Sequence, residues 1–164
     1  MNEPINNETA QQPQLPGARK LMFAALILFV TVGLDRITKI VAQRTLRFSM
    51  PTSYLNDFIR FEYAENTGAF LSLGSGLSET ARFIIFCVGV GFLLVGMLIY
   101  IVRTRSLRLP EVAALSLIAA GGVGNLYDRL TTGYVVDFVS MGFTSLRTGI
   151  FNVADVAITS GILL

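Results

Sequence analysis

Three aspartates stand in or beside stretches apolar enough to lie in lipid: Asp128 in Gly-Asn-Leu-Tyr-Asp-Arg (124–129), Asp137 in Val-Val-Asp-Phe (135–138) and Asp155 in Phe-Asn-Val-Ala-Asp (151–155). An ionisable group in such a place is costly unless it is paired, hydrated or used, so each is a candidate functional residue. Asp137 interrupts a run of bulky apolar neighbours, where a strand or re-entrant turn would aim a lone acid into a protein-lined cavity. Asp155 follows Asn152 by three positions, the spacing of a capping box, and free N–H groups at a helix start favour its charged form. Two carboxylates converging on one cavity can share a proton. Such a pair can take a proton from water while polarising the attacked carbonyl. Peptide-bond hydrolysis fits this inventory without a metal or a strong nucleophile. A noncatalytic proton- or cation-conducting transport subunit fits it as well, because acids lining a polar cavity also relay protons or bind cations.

Composition narrows the alternatives. The 164 residues are 52% apolar and carry a net charge of only +2. The apolar residues come in blocks, which favours a membrane class, and the basic residues are scattered singly, which argues against a nucleic-acid surface. The chain has no histidine and one cysteine, Cys87, inside an apolar block. Zinc sites of the Cys/His type and Ser–His or Cys–His catalysis are therefore excluded.

The elements that must position the acids follow from the blocks. Residues 1–19 are polar and read as a disordered cytoplasmic tail, followed by a membrane domain over 20–164. The first span covers residues 21–42, about 22 residues and enough for roughly 30 Å of hydrocarbon. Asp35 and Lys39 sit in its last turns, spaced i,i+4 for an intrahelical pair, with Lys39 also able to snorkel toward headgroups. The loop 43–82 contains an alternating stretch at 58–63 that suggests a strand, then a turn at Asn66-Thr67-Gly68 and a return strand at 69–73. Residues 83–102 form the second span and 112–126 the third, with a loop over 128–149. A fourth span starts near Asn152 and has about 13 residues, or roughly 20 Å, so either the bilayer thins there or, as favoured, the chain stops inside it. Arg19, Lys20, Arg103, Arg105 and Arg108 fall on one side, which places the N-terminus in the cytoplasm and the loops 43–82 and 128–149 outside. Asn125 and Asp128 share a helical face, and Gly121, Gly122 and Gly124 mark close helix packing. Asp128 beside Arg129 reads as positioning a loop or meeting a lipid phosphate.

Taken together, these motifs resemble the bacterial lipoprotein signal peptidase family, signal peptidase II, over residues 21–161. The resemblance rests on Asp-Arg-Ile-Thr-Lys (35–39), Asn-Thr-Gly-Ala (66–69), Gly-Gly-Val-Gly-Asn-Leu-Tyr-Asp-Arg (121–129), Val-Val-Asp-Phe (135–138) and Phe-Asn-Val-Ala-Asp (151–155). It implies four transmembrane α-helices with a small extracytoplasmic β-sheet at the surface of the bacterial inner membrane. The activity implied is aspartyl endopeptidase cleavage of signal peptides from diacylglyceryl-modified prolipoproteins, among membrane phospholipids, on the N-terminal side of the lipidated cysteine. By motif, Asp137 and Asp155 match the catalytic dyad. Asn66, Gly68, Asn125, Arg129 and Asn152 match residues that line or support the site, and Asp35 and Lys39 match the first-helix pair. No cofactor and no metal are implied.

Overall fold

A computed structural model describes residues 17–68, 74, 76–144 and 146–164. Helix α1 (Gly17–Thr45) is followed by strands β1 (Thr52–Tyr54) and β2 (Ile59–Asn66). A helical rod over Glu79–Arg103 comes next, made of α2 (Glu79–Phe83), a π-helical turn (Ile84–Gly89) and α3 (Val90–Arg103). Helix α4 (Leu109–Thr132), strands β3 (Val135–Phe143) and β4 (Leu146–Arg147), and helix α5 (Val153–Leu163) complete the chain. The helix α1, the rod and α4 are each long and apolar enough to cross a bilayer. Helix α5 is apolar but has 11 residues.

Polarity runs inside out, as expected of side chains solvated by lipid. The buried residues of α1 include Lys20, Asp35 and Lys39, whereas Leu26, Phe29, Val30 and Leu34 face outward. Helix α4 occupies the centre and packs against α1, α3 and α5. Small residues permit this: a Cβ on Gly121 would strike the Ala154 carbonyl of α5, and one on Gly124 would lie 2.5 Å from Asp35 Oδ2 of α1. Without a hydrophobic drive between helices in lipid, such close approach supplies much of the packing energy.

The helices outrun the lengths expected from hydropathy alone. Helix α1 begins at Gly17, and α4 continues past residue 126 to Thr132, stopped by Gly133 in the left-handed conformation at φ 83°. Asp128 thus belongs to a helix, not to a loop. Lys20, counted in the sequence only among the basic residues of one membrane side, takes part in the packing. It is buried and donates to the carbonyls of Thr104 (2.9 Å) and Val102 (3.4 Å), satisfying the C-terminal end of α3 where the helix dipole favours a positive charge.

The four strands form an antiparallel sheet in the order β1-β2-β3-β4. Of the alternating stretch at 58–63, residues 59–63 are strand, which extends to Asn66. Asn66 ends β2, and its Oδ1 accepts the Gly68 N–H at 3.0 Å, closing the turn there. The expected return strand at 69–73 lies outside the described residues. Strand β2 pairs with β3, from a distant part of the chain, with Asn66 opposite Val135 and Ala64 opposite Asp137, across a bulge between Phe61 and Ala64. This register carries the end of β2 to Asp137.

Candidate active site

Helix α5 starts where β3 and α4 meet, and its first turn is built by Asn152. The Asn152 Oδ1 accepts the Asp155 N–H at 3.0 Å, while the Asp155 Oδ2 accepts the Asn152 N–H at 3.1 Å. This is the reciprocal capping box that the spacing implies. The rest of Asn152 goes beyond capping. Its Nδ2 donates to Asp137 Oδ1 at 2.6 Å and to Asn125 Oδ1 at 3.2 Å, so one buried side chain bonds the Asp137 carboxylate and, through its oxygen, the Asp155 backbone N–H.

Asp137 projects from β3 and is 2% exposed. Its second oxygen, Oδ2, accepts from Asn66 Nδ2 at 3.0 Å. Burial pushes the Asp137 carboxyl up to about 6, and the charge of Asp155 adds to the rise. The amides of Asn66 and Asn152 and the charge of Lys39 pull the other way. Burial wins because an anion is poorly solvated there.

Asn125 of α4 links the acids to a buried ionic cluster. Its Oδ1 faces two donors, Lys39 Nζ at 2.9 Å and Asn152 Nδ2 at 3.2 Å, so its Nδ2 is left to donate to Asp155 Oδ1 at 2.9 Å. Lys39 Nζ also lies 2.9 Å from Asp35 Oδ2 and 2.8 Å from Asp128 Oδ2, and Arg36 pairs with Asp128 from the other side. Asp35 Oδ1 accepts the Ala154 N–H at 3.1 Å, tying α1 to the first turn of α5. Two anions and two cations close this cluster, and Lys39 and Asp35 are fully buried. Two expectations are corrected here. Lys39 does not snorkel to headgroups, because two carboxylates and an amide oxygen hold it inward. Asp128 is likewise satisfied by Arg36 and Lys39 within the protein, and does not face a lipid phosphate.

The acids open onto a cavity of about 380 Å³ lined by Asn66, Asn125, Arg129, Asp137 and Asp155 on its polar side. Phe86, Val90, Ile158 and Ile162 line the apolar side, between the rod and α5. The Arg129 guanidinium donates to the carbonyls of Gly68 and Asn125 and stands over the Phe86 ring, 5.4 Å from its centre. Of the residues singled out from the sequence, Asp137, Asp155, Asn66, Asn125 and Arg129 therefore meet at the cavity. Gly68, Asn152, Asp35, Lys39 and Asp128 stand behind them. Sequence reasoning missed Arg36 and the apolar wall. The Arg36–Lys39 spacing puts two cations on one helical side, a signal that both could reach a single acid. Nothing in the sequence singled out Phe86 from its apolar run.

The chain has relatives among known proteins. A family model described as signal peptidase (SPase) II matches residues 27–164. A lipoprotein signal peptidase of Chlorobium luteolum is 35% identical over 152 residues, covering 85% of this chain and 86% of that one. The lipoprotein signal peptidase of Thermodesulfovibrio yellowstonii is 35% identical over 147 residues, covering 88% and 92%. Among solved structures, a bacterial membrane enzyme determined by the in meso method at 2.3 Å resolution superposes with a TM-score of 0.73 at 24% identity, over 92% of this chain and 86% of that one, which shows a shared fold. The match over most of the chain, joined to relatives at this identity, means that the chain belongs to the signal peptidase II family.

Proposed function

We propose that this protein is an aspartyl endopeptidase that cleaves diacylglyceryl-modified prolipoproteins on the N-terminal side of the lipidated cysteine. The observation that carries the reading is the joining of Asp137 and Asp155 through the Asn152 amide at one cavity. Membership of a signal peptidase family and relatives named lipoprotein signal peptidases support the substrate class.

In this reading the pair works with one proton. Asp137, whose buried carboxyl is pushed up to about 6, holds it and donates a hydrogen bond to the scissile carbonyl oxygen. Asp155, fixed as an anion-accepting position at the start of α5, takes a proton from the attacking water. A tetrahedral diol forms as the water oxygen bonds to the carbonyl carbon and the Asp137 proton passes to the carbonyl oxygen. The proton held by Asp155 then goes to the leaving amine as the C–N bond breaks, and the diol returns a proton to Asp137. Asn125, with its amide orientation set by Lys39, keeps Asp155 in place throughout. The gap between the rod and α5, bounded by Val90, Ile158 and Ile162, admits acyl chains sideways from the bilayer, where each buried CH₂ contributes about 0.8 kcal/mol. The protein would sit in the bacterial inner membrane among phospholipids, N-terminus cytoplasmic and sheet and site near the extracytoplasmic face, from the basic residues Arg19, Arg103, Arg105 and Arg108.

The test is incubation of purified protein with a diacylglyceryl-modified precursor, read as a gel shift, beside the same precursor without lipid. Cleavage of the lipidated form with a much higher kcat/KM supports the assignment. No cleavage, or equal kcat/KM on both forms, overturns it.

A further inference from the structure

The helical rod changes phase at its π turn, and the change falls at the catalytic cavity. Glu79, Thr80, Arg82 and Phe83, before the turn, line a neighbouring cavity of about 510 Å³, together with Thr67. Val90, after the turn, lines the cavity of the aspartates. Phe86, inside the turn, lines both. Widened π turns of this kind are frequent at functional sites because they re-aim a side chain without ending the helix.

The Phe86 ring is held on two sides. The Arg129 guanidinium stands 5.4 Å over one face. At its edge, Gly74 comes so close that a Cβ there would lie 2.9 Å from Phe86 Cζ, and Gly74 itself has φ 80°, which disfavours a larger residue on two counts. A ring fixed between a cation and a backbone turn does not swing aside cheaply. It forms a rigid wall shared by two spaces.

We propose that Phe86 is a specificity-determining residue: it bounds the catalytic cavity and limits the size of the substrate side chain that packs beside the aspartates. The inference rests on the peptidase reading above. With the ring present, a bulky side chain next to the scissile bond meets a wall; with the ring removed, it can extend into the neighbouring cavity. Phe86 makes no contact with a reacting atom in this scheme, so the chemistry on a small-side-chain substrate is unchanged in kind.

The experiment uses full-length protein in micelles and lipidated precursors that differ only in the residue immediately N-terminal to the modified cysteine, Gly, Ala or Leu. The readout is the ratio of kcat/KM between the Leu and Ala precursors for wild type, Phe86→Leu, Phe86→Ala and Phe86→Trp. The ratio should rise at least tenfold for Phe86→Ala, rise less for Phe86→Leu, and fall for Phe86→Trp, whose larger ring should also favour the Gly precursor. A variant that is merely less stable would lower all precursors alike and leave the ratio unmoved. An unmoved ratio across the folded variants, with the Ala precursor still cut, overturns the assignment of Phe86 and leaves the peptidase reading intact. If Phe86→Ala does not fold, the Leu and Trp variants decide, because they push the ratio in opposite directions. Failure of wild type to cut any lipidated precursor refutes the peptidase reading instead.

Discussion

Replacing Lys39 by Met should separate what the buried ionic cluster does for folding from what it does for the site. Lys39 is fully buried, and its Nζ lies within 3 Å of Asp35 Oδ2, Asp128 Oδ2 and Asn125 Oδ1. Without it, Arg36 still pairs with Asp128, whereas Asp35 keeps, among the described residues, the Ala154 N–H alone. Removing one partner of a buried pair costs about 3–5 kcal/mol, because the other charge is left uncompensated or must take up a proton. Neutralising the orphan should recover most of that loss. An Asp35→Asn/Lys39→Met double variant, whose Asn Oδ1 can still accept from Ala154, should lie about 2 kcal/mol or more closer to wild type than Lys39→Met does. SDS-induced unfolding in micelles, followed by helicity, measures both. Activity should not recover in parallel. The Asn125 amide loses its strongest donor in either variant and is free to turn its oxygen toward Asp155, so kcat should stay reduced at least tenfold in the double variant. The reasoning fails if Lys39→Met is within about 1 kcal/mol of wild type, or if the double variant regains full turnover along with stability.

Further outcomes follow from the same contacts. The kcat/KM profile on a lipidated precursor should fall as pH rises through about 6, where Asp137 loses the proton it must donate; activity still rising between pH 6 and 8 would contradict that role. Gly124→Ala should destabilise by about 1–3 kcal/mol, since its Cβ would enter within 2.5 Å of Asp35 Oδ2 in a packed helix contact, and an unshifted SDS midpoint would refute the close approach. Probe cysteines at Gly76 and Arg105, placed in a Cys87→Ala background, should be labelled from outside intact spheroplasts at the first position alone; the reverse pattern would invert the orientation.

The sequence was most legible where polarity clashed with surroundings. Asp137 and Asp155 stood out as acids beside apolar runs, and the Asn152–Asp155 spacing announced a capping box that the structure contains. The three long helices were visible as apolar blocks, though their ends were not, because charged residues buried near those ends, Lys20 in α1 and Asp128 in α4, lower the local hydropathy without leaving the helix. Hydropathy treats Asp128 as an exit from the membrane; packing makes it a member of a closed cluster. The spacing of Asp35 and Lys39 announced the pair that the structure contains, but an i,i+4 partner says nothing about a second acid on another helix, so the choice between surface anchoring and support of the site stayed open for Lys39. The pairing of β2 with β3 joins segments about 70 residues apart, and alternation reveals a strand without revealing its neighbour. Spacing alone made Asn152 a cap for Asp155, and only the family resemblance placed it among the residues that support the site. Its other contact, to Asp137, depends on how β3 meets α5 and has no local signature.

The central claim is that two carboxylates at one cavity share the work of peptide hydrolysis. Asp137→Asn and Asp155→Asn, each purified and shown by helicity and SDS midpoint to be folded, should be assayed on a diacylglyceryl-modified precursor. The amide replacements keep the size of each side chain while removing proton transfer; because all four carboxylate oxygens accept from N–H donors, each also sets an NH₂ group against a donor, which is why folding is checked first. Each variant should lose a factor of about 10²–10⁴ in kcat with substrate binding retained. Near-normal turnover by either folded variant would contradict the account.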